Sequence, residues 1–257
     1  MRKLVAWSLR ARKARARDTA GLSLTEPAAM LPTVIAHMSA QPPNAPDVAA
    51  MRRQYHLGAL READMPADPI AQFTAWFRDA VSAPIIDPSA MSLATAGTDG
   101  RPLVRSVLLK NYDDRGFVFY TNLESRKARQ LKENPHAALL FPWLLLERQV
   151  IVTGAVERLA TVDAVKYFLS RPRDSQLSAW ASQQSAPISS RQVLELEWAA
   201  LKRKFAAGAV PMPDFWGGFR VVPATIEFWQ GGPNRLHDRI HYTRDSAQGW
   251  QITRLAP

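Results

Sequence analysis

The sequence predicts a mainly β fold with α additions: a small antiparallel barrel with helices around it. From residue 90 onwards apolar residues recur at every second position over several segments, the period of half-buried strands. The first breaks between them, "GTDGRP" and "DDRG", are good turn chemistry, which makes the neighbouring strands antiparallel. Six or seven such strands with helical stretches between them suit a barrel carrying helical additions.

The elements follow in order. Residues 1–20 are Arg/Ala-rich with almost no acids, and 21–50 are rich in Pro and Ala without periodicity. That composition predicts disorder over 1–50 and a single domain over 51–257. The basic start suits a transit peptide, a weak nucleic-acid arm, or sequence upstream of a start at Met38 or Met51. A dispensable tail is the plainest reading. Order begins near "MRRQYHLGAL". Asp68 then caps a helix with Pro69 at its first position and an apolar stripe of Ile70, Phe73, Trp76, Phe77 and Val81. "AMSLATAGTDGRPLVRSVLLKNYDDRGFVFYTN" reads as a three-stranded meander. "SRKARQLKENP" is a short helix, and "HAALLFPW" and "RQVIVTGAVERL" are strands. Helices follow at about 161–170, 174–184 and 189–206, the last opened by Ser189. "FRVVPATIEFWQ", "RIHYTRD" and "GWQITRLAP" are strands that close the sheet.

Composition excludes several classes of chemistry. A 47% hydrophobic content, with eight Trp and ten Phe, is enough for a substantial core, yet no run of about 18 apolar residues spans a membrane. Cysteine is absent, which rules out disulfides, thiolate metal sites and a Cys nucleophile. Redox chemistry would need a cofactor, and a reducing cytoplasmic setting fits. Residues 1–37 hold seven Lys/Arg against Asp18 and Glu26, so +5 of the formal +10 sits in the tail. That concentration, and the lack of any RNA- or DNA-binding motif, argues against a nucleic-acid partner. There is no Walker loop, no G-x-G-x-x-G and no G-x-S-x-G, and the five His lack metal-binding spacing.

Four stretches carry candidate chemistry. Ser125 as N-cap puts Arg126 and Lys127 in the first helical turn, the wrong end for cations unless an anion binds there. A solvated pair explains the same pattern, because a misplaced exposed charge costs only about 0.3–1 kcal/mol. In "RSVLLK", Arg105 and Lys110 differ in parity, so they face opposite sides of a strand; two anionic sites are more natural than one, and an ordinary strand with charged ends is the bland alternative. In "YFLSRPRDSQ", Tyr167 and Arg171 share a helix face, Pro172 ends the helix and Ser175 opens the next. That is either a phosphate clamp or a surface pair with a cap. In "FWQGGPNRLHDR", alternation groups Arg235, His237 and Arg239 on one face, with Leu236 and Asp238 on the other.

Together these segments resemble the pyridoxine/pyridoxamine 5′-phosphate oxidase family. The matching stretches are "RRQY", "RSVLLKNYD", "FYTNLESRKA", "LLFPW", "ERQV", "YFLSRPRDSQ", "WASQQSAPIS", "FWGGFRV", "IEFWQGGPNRLHDR" and the terminal "RLAP", in family order from about residue 51. The resemblance implies the FMN-binding split barrel and a homodimer with FMN at the subunit interface. It assigns cofactor contacts to Arg105, Ser106, Val107, Leu108, Leu109, Lys110, Tyr120, Thr121, Arg126, Lys127, Gln149, Gln184, Ser185, Trp229 and Arg239, with Arg126 and Lys127 on the flavin phosphate. Lys110, Tyr167, Arg171 and Ser175 match the clamp on the substrate phosphate. Arg235, Leu236 and His237 match residues at the substrate ring, with Arg235 and His237 the catalytic pair. Arg52, Arg53, Gln54 and Tyr55 match a mobile segment that closes over the substrate. The implied reaction passes a hydride equivalent from a phosphorylated pyridine to FMN, which O2 reoxidises to give peroxide; the amine substrate also releases ammonia. No metal is implied, and no side-chain base with a strongly shifted pKa. Two departures stand out: the extension before Met38 lies outside the family core, and Pro233 and Asn234 fall in a variable stretch. A flavin reductase on the same fold is the nearest alternative, and the full substrate clamp argues against it.

Overall fold

The structure, a computed structural model, describes residues 46–181, 184–245 and 249–257. The basic start and nearly all of the expected disordered stretch lie outside the described residues. The chain divides between Met51 and Arg52 into two units. In the first, Asp47 caps one 3-10 turn, Val48–Ala50, by accepting from the Ala49 and Ala50 N–H groups.

In the second unit the described residues form one antiparallel sheet of nine strands. They are β1 (Ala90–Ala96), β2 (Pro102–Leu108), β3 (Asn111–Asp113), β4 (Gly116–Asn122), β5 (His136–Trp143), β6 (Arg148–Arg158), β7 (Trp216–Gln230), β8 (Asp238–Asp245) and β9 (Gly249–Leu255). The order is β2-β1-β5-β6-β7-β4-β3, with β8 added to β7 and β9 to β8. The ladder does not close on itself, since β2 and β3 end its path. Around it lie α1 (Pro69–Ser82), α2 (Arg126–Glu133), α3 (Thr161–Ser170), α4 (Arg173–Ala181) and α5 (Arg191–Lys204).

The expected meander does not form. Its middle strand divides into β2 and β3, which lie at opposite ends of the sheet path. Between them Leu109 is buried in the core; its N–H donates to Ser89, while the Lys110 N–H donates to Val118 of β4. Turn chemistry specified only the local hairpins β1–β2 and β3–β4. The 15-residue β7 joins the parts, pairing with β6 along its length, with β4 through its first half and with β8 through its second. A bulge opposite Thr153 and Gly154 bends it. A Cβ at Gly154 would sit 1.9 Å from the Val222 carbonyl oxygen, so only glycine allows the strands this close.

Asp68 caps α1 by accepting from the Ile70 N–H at 2.9 Å. Phe73, Trp76 and Ala80 form its buried stripe, with Ile70 and Phe77 half-buried. Val81 is not part of it, being 58% exposed: Ala80 lies one turn on from Trp76 and takes the inward place. The cap position of α5 is Ser190 rather than Ser189, and α4 is described as far as Ala181. A second, smaller core joins α3 and α4 to the start of β7 through Phe168, Leu177, Val210 and Trp216. No helix among the described residues is long and apolar enough to cross a membrane.

Phe73 is fully buried, with the rings of Tyr112, Phe117 and Phe141 edge-on at 4.9, 4.9 and 5.0 Å. Phe73→Ala is expected to lower stability by about 3–5 kcal/mol in denaturant unfolding.

Candidate active site in two halves

The first half is a cavity of about 670 Å³ between β2, β4 and the helices α2, α3 and α4. Arg105, Lys110, Lys127 and Arg171 line it, together with Tyr120, Thr121, Tyr167, Ser175, Gln184 and Trp216, and no Asp or Glu among the described residues does. Four cations without an acid make a site for an anion.

Arg105 and Lys110 line the same cavity despite their opposite parity. Burial still alternates through Lys110, with Arg105, Val107 and Leu109 on the inner side and Ser106, Leu108 and Lys110 on the outer, so the cavity takes residues from both sides of the strand end. Lys110 also lines a neighbouring cavity of about 350 Å³ that Arg105 does not. Arg105 is held from behind: its Nη1 donates to the Leu93 carbonyl at 2.9 Å and to Thr95 Oγ1 at 2.7 Å. The Thr95 hydroxyl in turn donates to Gln130 Oε1 of α2 at 2.7 Å. Burial, and then the Arg126 charge, lowers the Arg105 pKa.

At the start of α2, Ser125 Oγ accepts from the Ala128 N–H. Lys127 folds back and is only 8% exposed. Its Nζ donates to Thr121 Oγ1 at 3.1 Å, Ser125 Oγ at 3.4 Å and Gln184 Oε1 at 2.7 Å, all neutral oxygens. Burial, followed by repulsion from Arg105, lowers its pKa from 10.5 to about 8. The Arg126 N–H donates to Ser185 Oγ at 3.3 Å, and Ser185 has a φ of 75°. A helix N-terminus, a buried ammonium and a second cation thus converge with no negative charge to offset them.

Deeper along the wall, the Tyr120 and Tyr167 rings stack at 4.1 Å, and Tyr120 stacks on Trp216 at 5.2 Å. The Arg171 guanidinium lies 5.1 Å from the Trp216 centroid. Its Nη1 is buried with no hydrogen-bond partner among the described residues, which marks where a ligand oxygen fits. Gln176 sets this junction: its Nε2 donates to the carbonyls of Leu169 and Arg171 at 3.2 and 2.9 Å. Sequence reasoning missed Gln176, Thr95 and Gln130, whose work depends on partners distant in sequence or in another element.

The second half lies at the other end of β7. The Tyr55 ring stands edge-on to Trp229 at 5.8 Å and to His237 at 5.5 Å, and Trp229 lies 4.6 Å from His237. Gln149 pairs with Trp229 across β6 and β7. His237 Nδ1 accepts from the Gly232 N–H at 3.1 Å, so the neutral ring carries its proton on Nε2. Arg239 grips Glu227 with Nε at 2.8 Å and Nη2 at 3.0 Å, and its Nη1 donates to the Ala256 carbonyl. The shared face expected of Arg235, His237 and Arg239 does not form. Pro233–Arg235 is a 3-10 turn, Asn234 and Arg235 have φ of 55° and 63°, and β8 starts only at Asp238. Arg235 and Leu236 project from this turn into solvent. None of Tyr55, Gln149, Trp229, Arg235, His237 and Arg239 lines the cavity.

Lys127 allows a pH test. Its folded pKa is below its ordinary 10.5, so the cost of burying its charge is complete below about pH 8 and fades towards pH 10.5. An anion favours the charged form. The affinity of the ligand-free protein for inorganic phosphate, followed by calorimetry, is expected to weaken up to tenfold per unit as pH rises past about 8. Lys127→Met should flatten that profile.

Comparisons with known proteins fit this geometry. A family model described as pyridoxamine 5′-phosphate oxidase matches residues 77–204, and one described as the pyridoxine 5′-phosphate oxidase C-terminal dimerisation region matches 216–257. The pyridoxine/pyridoxamine 5′-phosphate oxidase of Aeromonas hydrophila subsp. hydrophila is 57% identical over 211 residues, 82% of this chain and all of that protein. Its namesake in Escherichia fergusonii is 56% identical over 210 residues, 82% of this chain and 96% of the relative. Among solved structures, PhzG from Burkholderia lata 383, in complex with tetrahydrophenazine-1-carboxylic acid, matches with a TM-score of 0.74 at 32% identity, over 78% of this chain and 99% of that one. An FMN-binding protein of Nostoc punctiforme shares the fold, with a TM-score of 0.61 at 16% identity, over 75% of this chain and 100% of that one. Most of the cavity falls in the first matched segment and β7–β9 in the second, and identity above one half runs across whole relatives: the chain belongs to the pyridoxine/pyridoxamine 5′-phosphate oxidase family.

Proposed function

We propose that this protein is an FMN-dependent oxidase that converts pyridoxine 5′-phosphate and pyridoxamine 5′-phosphate to pyridoxal 5′-phosphate. O2 is reduced to hydrogen peroxide, and the amine substrate also yields ammonia. The acid-free cavity carries this reading: it presents more positive charge than one phosphate needs, and both ligands of such an oxidase bear a phosphate. The 57% identity to curated oxidases, against 32% to PhzG, favours this reaction over another on the same fold.

Arg126, Lys127 and Arg105 would hold the flavin phosphate, with the oxygens of Thr121, Ser125 and Gln184 placing the Lys127 ammonium. Arg171, Lys110, Tyr167 and Ser175 would hold the substrate phosphate, with Arg171 Nη1 the buried donor still to be satisfied. FMN, when bound, supplies the acceptor for a hydride equivalent from the substrate and returns its electrons to O2. The residues bind and orient. Fixing a remote phosphate sets the reacting carbon in place, which converts binding energy into rate. Arg235 and His237 would face the pyridine ring, His237 offering its Nε2 proton. Gln149, Trp229 and Arg239 would complete the flavin pocket.

The cavity and the ring cluster lie at opposite ends of β7, so a second copy of the chain is needed to bring them to one ligand. The match to a dimerisation region over β7–β9 supports a homodimer with FMN at its interface.

Purified with FMN, the protein should be yellow, and pyridoxamine 5′-phosphate should bleach it without oxygen. A flavin-loaded protein that neither phosphate ester bleaches contradicts the proposal. Arg235→Leu should reduce turnover by roughly 100-fold while FMN affinity changes little. Equal loss of both would contradict the division of roles.

A further inference from the structure

We propose that Glu147 is the latch for the segment bearing Arg52 and Tyr55, and that Arg53 belongs to this latch rather than to the substrate contacts. The inference rests on the reading of Tyr55 and His237 as one wall of the substrate site.

Glu147 follows the turn Leu144–Leu146 in the left-handed region, at φ 55°, and is only 3% exposed. Its carboxylate accepts from three donors of one short segment: Arg53 Nη2 at 3.0 Å, the His56 N–H at 2.7 Å and the Leu57 N–H at 3.0 Å. Its carbonyl grips the end of β7, accepting from the Gly231 N–H at 2.7 Å and Gln230 Nε2 at 3.1 Å. One residue thus ties the segment to the strand end that carries Trp229. The tie seats the Tyr55 ring against Gly231, where a Cβ would lie 2.8 Å from the ring. Any larger residue there would push Tyr55 off. Burial alone would raise the Glu147 pKa; the two N–H groups and Arg53 outweigh it and hold the carboxyl below its ordinary range.

Arg53 is committed to Glu147, whereas Arg52 is exposed and has no hydrogen bond or ion pair among the described residues. Arg52 is therefore the cation left to reach a ligand. A separate anchor lies downstream: Asp238 accepts from the Leu60 N–H, and Arg254 binds the Leu60 carbonyl, Glu62 and Asp238. Releasing the latch frees residues 52–57 without detaching the rest.

The test is amide exchange on the flavin-loaded, substrate-free protein, with kinetics alongside. Glu147→Gln removes the charge but keeps an acceptor, and Arg53→Met removes one exposed partner. The His56 and Leu57 amides should exchange roughly tenfold faster in Glu147→Gln, the loss expected when charge-assisted bonds weaken. KM for pyridoxine 5′-phosphate should rise several-fold in both variants, with kcat and FMN affinity nearly unchanged. Unchanged exchange overturns the latch. Faster exchange with unchanged KM overturns its link to substrate, and parallel loss of FMN shows that Glu147 acts through the cofactor pocket instead. A wild-type protein that oxidises neither ester would overturn the proposed function, while the exchange rates would still judge the latch.

Discussion

The ladder of β7 is the constraint on which the rest depends. Its pairings with β6, β4 and β8 fix one stiff strand, with Trp216 in the cavity at one end and Trp229 in the ring cluster at the other. Thirteen positions separate the two tryptophans, roughly 40 Å of strand path at the usual rise, shortened somewhat by the bend at the bulge. No flavin-sized ligand spans that distance. A strand held by hydrogen bonds on both edges cannot fold back to bring its ends together. Under the proposed function, two half-sites on one rigid strand ask for a two-fold partner, in which the end of one strand meets the start of the other.

The same rigidity explains how the cavity tolerates its charge. Burying the Lys127 ammonium beside Arg105, with only neutral oxygens around it, costs folding free energy, and its lowered pKa is the sign of that cost. The sheet and the aromatic core around Phe73 hold the arrangement regardless. The cost is offset when an anion arrives, so affinity and stability are linked through one group. At the other end the acids are not free. Glu147, Glu227 and Asp238 each hold a cation and tie the segment or strands around the ring cluster. Positive charge is left without an acid in the cavity, where the proposed function places phosphate, and is paired at Arg53, Arg239 and Arg254.

Much of this was legible in the sequence, for reasons of range. The Asp68 cap with Pro69, the Ser125 cap and the strand alternation from Ala90 onwards depend on neighbours a few residues away, and the structure forms them. The meander failed because the hairpins are local, whereas the separation of β2 from β3 depends on partners in β5 and β7. Alternation failed at the Asn234–Arg235 turn, because it holds only while the backbone stays extended. Glu147 lay in view inside the motif "ERQV", yet no pattern shows that a lone acid after three leucines accepts from a segment 90 residues earlier. The resemblance named the site residues but could not say which chain end supplies them.

The central claim is that each site takes its cavity from one chain and its ring cluster from another, and a hybrid dimer tests it directly. One copy would carry Arg171→Met, a lesion of the cavity, and the other Arg235→Leu, a lesion of the ring half, with two tags to isolate the mixed species. Each parent homodimer should be nearly inactive. The hybrid should recover about half the wild-type activity, because one of its two sites carries both lesions and the other carries neither. A hybrid as inactive as its parents would show that both halves come from the same chain.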